Sequence, residues 1–241
     1  MISLKQQLEK FANMPHHTEE ELNLAFKQLA PYFLYSGCFL IEGKKLYLDD
    51  IEFYYHDEDE GGIKDPIMYH TNEHEGKELP YFELGRLNLH VSGVDVTFEN
   101  PHEHYRASFL IRGFHMEGKP YDPHSTHIYD EMLYMGVPLG KAIEIEWIEE
   151  DVPDKDSYTK EGITRLNVAE YKCENGQYVK ENGKYVKVEY KDGKYSKEEY
   201  LKKDFDSKQY FRYSGKIFKQ CQRKWRFKKE RIVYNNHIQI I

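Results

Sequence analysis

Apolar residues recur at helical spacing near the N-terminus. Leu4, Leu8 and Phe11 suit a short helix that stops near Pro15. Thr18 with Glu21 three positions on is a capping-box pattern that opens a second helix, in which Leu22, Leu24, Ala25 and Leu29 share a face. Pro31 has no N–H to donate and is read as the stop, so residues 1–31 form a helical segment. Beyond it the apolar period shortens toward two. FLYSGCFLIEG and KKLYLDDIEFYY are β-rich runs joined at Glu42-Gly43-Lys44, where glycine suits a tight turn. Leu87–Phe98 and Ala107–Phe114 read as further strands, linked by the turn-like NPHEHYR, and AIEIEWIEE alternates as a half-exposed strand does.

The intervening stretches are polar. Residues 56–80 carry three glycines and two prolines and read as a loop whose length suggests a functional role. Residues 119–127 are irregular, and DVPDKDSYTKEG reads as a surface connection. NGQYVK, NGKYVK and DGKYSK follow one another from Asn175, Asn182 and Asp192, and Asn-Gly and Asp-Gly are hairpin signals. The expected fold is α+β: a single domain over 1–241, built on a curved, mostly antiparallel β-sheet, with N-terminal helices, a site-bearing core at 46–115 and a β-hairpin insertion at 171–200.

Composition sharpens this picture in three places. A chain of 241 residues buries a sizeable core, and 21 Tyr against 13 Phe and 2 Trp favour strands and half-buried rings. The net charge of -8 excludes a protein whose whole surface grips phosphate. A local basic run from Lys216 to Arg231 includes Lys224 and Arg226 and is interleaved with Trp225 and Phe227. It reads either as a nucleic-acid patch or as a solvated domain end. Cys38, Cys173 and Cys221 are widely spaced with no CxxC pair, so neither a disulfide framework nor a zinc knuckle is expected. No apolar stretch has signal-peptide or membrane-span character, so the expectation is a cytoplasmic monomer without a membrane partner.

Candidate chemistry lies between Leu46 and Arg112. Glu52-Phe53-Tyr54 ends a β-like run, Asp65-Pro66 leads to His70, a second run carries His90, Ser92, Gly93 and Asp95, and Leu110-Ile111-Arg112-Gly113 closes the series. In this order the residues resemble the alkyladenine (3-methyladenine, methylpurine) DNA glycosylase family. There a Glu-Ala-Tyr motif is followed by an Asp-Pro loop reaching a His, a hairpin with Tyr-Gly near its middle, and a Leu-Ile-Arg-Ala strand. The resemblance covers roughly a quarter to a third of the chain. It implies Glu52 as the base that activates water against the sugar C1′, with Arg112 positioning that water and the adjoining phosphate. It also implies Tyr54 and His70 on either side of an extruded base, with His90, Ser92, Gly93 and Asp95 lining the base site. The partner would be damaged or modified DNA, or a free nucleobase or nucleoside, and the chemistry needs no cofactor and no metal. Trp225-Arg226-Phe227 matches a family Trp-Arg-Phe, with Lys224 and Arg226 as weak DNA contacts.

The chain departs from the family pattern at Ser92, where a bulky Tyr stands in the family, at Glu99, and in the acidic loop Asp57-Glu58-Asp59-Glu60. Two other readings stand beside the first. One is a binding module on the same fold, which takes a nucleobase, a nucleoside or a protein. The other is a metal-dependent hydrolase using histidines and acids between residues 70 and 127, with His102, His104, His90 and Asp95 as ligands. Arg112 also has a plainer role open to it, as the buried ion-pair partner of Glu52.

Overall fold

The computed structural model describes residues 3–14, 18–135, 139–152, 157–163, 165, 173–174, 177–186, 210–213, 216–219, 223–234 and 237–240. The fold is α+β and its main body is a curled antiparallel sheet. Helix α1 (Leu4–Ala12) starts at a capping box formed by Ser3 and Gln6, and α2 (Glu19–Tyr35) starts at the expected one formed by Thr18 and Glu21. Strands β1 (Gly37–Ile41) and β2 (Lys44–Asp57) form a hairpin whose turn residues Glu42 and Gly43 both have positive φ, 47° and 77°. A short helix α3 (Asn72–Glu75) precedes β3 (Leu87–His90), β4 (Gly93–Thr97) and β5 (Tyr105–Met116). Then come α4 (His127–Met135) and β6 (Ile145–Glu149).

Chain contacts divide the protein into two compact units: 1–163 with 224–241, and 164–223. The second unit holds the short strands β7 (Cys173–Glu174), β8 (Gln177–Tyr178), β9 (Lys180–Glu181), β10 (Lys184–Tyr185), β11 (Tyr210–Tyr213) and β12 (Lys216–Lys219). Asn182 and Gly183, at φ 52° and 77°, make the turn between β9 and β10 that Asn-Gly foretells. The Asn175-Gly176 and Asp192-Gly193 turns lie outside the described residues. The first unit resumes with β13 (Arg226–Lys228), β14 (Arg231–Tyr234) and β15 (His237–Ile240).

The main sheet runs β3-β4-β5-β2-β1-β6, and β13 also pairs with β2. One face packs on α1 and α2 through stacked and edge-on rings. Phe26 lies on Phe53 with centroids 4.4 Å apart, Phe33 lies on Phe109 at 4.3 Å, and Trp225 meets Phe26 edge-on at 5.2 Å. Burying rings of this size gives each contact a worth of about 0.5–1.5 kcal/mol beyond its area.

Three expectations from sequence are corrected. Pro31 does not end α2, which runs on to Tyr35, so Phe33–Tyr35 are helical and not part of a strand. The lost hydrogen bond is outweighed by the buried stripe of Leu29, Ala30, Tyr32, Phe33 and Leu34. Leu24 points outward and is 54% exposed. Leu87–Phe98 is a hairpin and not one strand. Its turn falls at Val91-Ser92, and Gly93 (φ 136°) sits where a Cβ would stand 3.0 Å from Ser125. Among the described residues no helix is long and apolar enough to cross a membrane.

A candidate active site on the sheet face away from the helices

Along β2 the core side chains are Leu46, Leu48, Ile51, Phe53 and Tyr55, so the step of two becomes three between Leu48 and Ile51. Pairing with β5 explains it. Leu48 faces Phe114, Asp50 faces Gly113 and Ile51 faces Ile111, which leaves Asp49 extra in β2 and Arg112 extra in β5. The two bulges cancel and register resumes. Their effect is to turn Asp49, Asp50 and Arg112 off the core side, a use of bulges common beside functional sites.

Three carboxylates within four residues of β2 are thereby almost wholly buried: Asp49 and Glu52 at 0% and Asp50 at 1% exposure. Each has a cation. Lys229 Nζ donates to Asp49 Oδ1 at 2.8 Å, and His115 Nδ1 lies 2.5 Å from the other oxygen. Arg226 grips Asp50 through Nε (2.8 Å) and Nη2 (2.5 Å). Glu52 Oε2 accepts from the Tyr54 hydroxyl at 2.9 Å and lies 2.8 Å from Arg112 Nε, while Arg226 Nε stands 3.9 Å from Oε1. Burial pushes the Asp50 carboxyl upward against the pull of Arg226. Burial disfavours the charged form of Arg112, but the Glu52 and Tyr54 side chains outweigh it and hold the guanidinium protonated. Buried charges are tolerated only when matched in this way.

Cross-strand register lays Asp95, Leu110, Glu52 and Arg226 in one row over β4, β5, β2 and β13, with Thr97, Ser108 and Tyr54 in the next. The Asp-Pro segment covers the row, since Met68 and Ile67 pack against Tyr54 and Leu110. Asp65 N donates to His56 Nδ1 at 3.1 Å and fixes the segment to β2. Glu52, Tyr54, Arg112 and the Asp-Pro loop are thus brought together. Glu52 itself has no exposed surface, and Tyr54 and the Arg112 side chain reach solvent only at their edges.

His70 is placed apart from this row. Its ring stacks on Phe82 with centroids 3.9 Å apart, and Nε2 is 3.2 Å from the Pro80 carbonyl oxygen. Burial lowers its pKa, so the stacked imidazole is neutral near pH 7. His90 accepts at Nδ1 from Ser92 N (3.3 Å), which leaves the hydrogen on Nε2, 3.2 Å from Asp95 Oδ1. Ser92 and Gly93 form the hairpin tip. There Ser125 Oγ donates to Ser92 O at 2.7 Å, and the Tyr129 hydroxyl donates to the carbonyls of His90 and Gly93.

Two departures from the family pattern have a different character in three dimensions. Glu99 offers no charge to the surface: it is buried, accepts from Phe82 N at 2.7 Å, and pairs with Arg106 at 3.1 Å. Burial raises its pKa to about 7. In the acidic loop, Asp57 is spent on Ile63 N and the Tyr55 hydroxyl, and Glu58 on Arg106; Asp59 and Glu60 remain exposed. Arg106 is fully buried and also donates to the carbonyls of Leu79 (2.8 Å) and Pro80 (3.1 Å).

Among the described side chains of the C-terminal basic run, Arg223, Arg226 and Lys229 are buried. Trp225 and Phe227 are buried as well, so no aromatic-interleaved surface patch forms from these residues, and Arg226 is paired with Asp50; Lys224 is exposed. Sequence reasoning overlooked Asp49, Asp50, His115, Lys229 and Arg106. For Asp49, Asp50 and Lys229 the signal was present in the doubled acid of LYLDDIEFYY and the matching cations of RKWRFKK.

His102 and His104 are exposed on the β4–β5 connection, and His104 pairs with Asp59 at 3.1 Å. Among the described residues one group has the ligand types and closeness that a metal ion requires, and it is Asp122, His124 and His127. Compared with family models, with curated proteins and with solved structures, the chain matches none.

Proposed function

We propose that this chain hydrolyses the N-glycosidic bond of a damaged or modified purine nucleotide, with Glu52 as the base. The observation that supports this reading is the convergence of Tyr54 and Arg112 on one carboxylate oxygen of Glu52, beneath the loop that carries Asp65-Pro66. Water attacks C1′, the C1′–N bond breaks, Glu52 accepts the proton from the water, and the base departs with the bonding pair. Arg112 sets its Nε 2.8 Å from the Glu52 carboxylate and matches its charge. Tyr54 offers a ring face once Met68 and Ile67 move aside, the kind of covering segment that admits a flipped base.

A second reading, a binding module for a nucleobase or nucleoside, is favoured by the complete burial of Glu52. The two separate in one experiment. Duplex DNA carrying alkylated purines is incubated with the protein at low salt, and retardation and release of free base are followed for wild type and Glu52→Gln. The hydrolase reading expects release from wild type and none from the variant, with retardation in both. Retardation without release by either protein leaves the binding module, and release undiminished in Glu52→Gln removes Glu52 from the mechanism.

A further inference from the structure

The segment Tyr121–His127 carries a second constellation that the proposed hydrolysis does not use. Asp122 Oδ1 lies 3.1 Å from His124 Nδ1 and Oδ2 lies 2.8 Å from His127 Nδ1, while His124 N donates to Oδ1 at 2.9 Å. The three potential ligand atoms fall within 4.8 Å of one another. We propose that Asp122, His124 and His127 form a binding site for one divalent transition-metal ion of the Zn2+ class, with coordination positions left open to water.

Three features carry this. The first is ligand chemistry: two imidazoles and one carboxylate suit Zn2+ and its first-row neighbours, whose bonds to such ligands are about 2.0–2.2 Å long. The separations already present between Asp122 and the two rings, 3.1 and 2.8 Å, are close to those of neighbouring corners of such a coordination shell.

The second is anchoring. Asp122 exchanges two backbone hydrogen bonds with Phe114 of β5, 3.1 and 2.7 Å, and His127 opens α4 with its N–H on the His124 carbonyl at 3.0 Å. Ser125 Oγ and the Tyr129 hydroxyl fasten the same segment to the β3–β4 tip. Ligands on a short loop tied at both ends lose little freedom on binding.

The third is accessibility: the side chains are 31%, 64% and 47% exposed in chain order, so an ion enters directly and keeps water on its outer side. Partial burial alone would raise the Asp122 pKa, but hydrogen bonds from the His124 backbone and from both rings hold it below the usual range and keep it an anionic ligand. That carboxylate accepts from both Nδ1 atoms, so a cation bound through Nδ1 displaces those hydrogens.

The test uses the full chain stripped with chelator and titrated with Zn2+. Calorimetry is expected to give one tight site. A saturating excess is expected to raise Tm by roughly 5 °C, as binding to the native state alone demands. His124→Gln, His127→Gln and Asp122→Asn each weaken binding at least about tenfold, on the scale of a lost ligand, while His102→Gln, an exposed histidine elsewhere, binds as wild type does. Melting in chelator confirms that each variant is folded, and His124→Gln, the most exposed change, keeps the test valid if another is not. Absence of a Zn2+-dependent shift in wild type, or an equal shift in the three site variants, overturns the proposal. Neither result bears on base release by Glu52.

Discussion

Asp49 of β2 and Arg112 of β5 are each the one residue that its strand holds in excess where the two opposed bulges interrupt the ladder. The pair explains why a strand of such apolar character turns three carboxylates into one layer, and why the Glu52 carboxylate finds a guanidinium from the neighbouring strand.

Removing that guanidinium takes the nearest cation from the buried Glu52, with Arg226 standing farther off at 3.9 Å. Arg112→Ala is expected to lower stability by about 3 kcal/mol in urea denaturation, the usual result of breaking a buried pair. Glu52→Gln keeps an acceptor for Tyr54 and leaves a cation that can reach solvent, so its cost is expected to be about 1 kcal/mol. An equal and large loss in both variants would assign the pair to folding alone.

Arg226 and Lys224 stand two residues apart in the basic run and should behave oppositely. Arg226→Ala strands Asp50 at 1% exposure and is expected to cost about 3–5 kcal/mol. Lys224→Ala changes an exposed side chain and should fall within about 0.5 kcal/mol of wild type. Thermal melts of the two variants decide the matter, and a mild Arg226→Ala would undo the account of the buried layer.

Glu99 gives stability a pH dependence whose sign is fixed. Its carboxyl is pushed by burial to about 7, above its ordinary value, so the folded state holds a proton that the unfolded chain has released. The contribution is complete at low pH, below the unfolded pKa, and is lost as pH rises through about 7. Glu99→Gln retains acceptors for Phe82 N and Arg106 without that proton. Over this window its stability should fall less than that of the wild type, as measured by chemical denaturation at stepped pH. Parallel pH profiles would contradict the assignment.

Pro31 lies inside α2, where it withholds an amide hydrogen from the Lys27 carbonyl. Pro31→Ala restores the bond and a favourable helix propensity, offset in part by a freer unfolded chain, so a gain of about 1–2 kcal/mol is expected. A lower melting temperature in the variant would show that the ring's packing matters more than the missing bond.

Much of this could be read in the chain, and the misreadings have physical causes. Cap chemistry placed the start of α2, because a threonine and a glutamate satisfy backbone amides locally. The end was misplaced because burial beyond Pro31 is a tertiary effect that overrides a local cost. Glu52, Tyr54 and Arg112 are grouped through the resemblance, and the pairing of β2 with β5 sets them near one another. The bulges were not legible: both stretches read as plain strands, and the displaced residues Asp49 and Arg112 emerge only from the pairing of β2 with β5. What lay hidden was the return of Arg226 and Lys229 from the far end of the chain to answer those acids. A basic run looks like surface until its partners are known.

Arg106 gathers five groups of the covering segment and its flank: Glu58, Asn72, the carbonyls of Leu79 and Pro80, and Glu99. One side chain thus fastens stretches that have few regular hydrogen bonds of their own. Such a flap cannot fray residue by residue; it detaches as a piece or stays shut. Its amides are expected to exchange with deuterium at a shared rate.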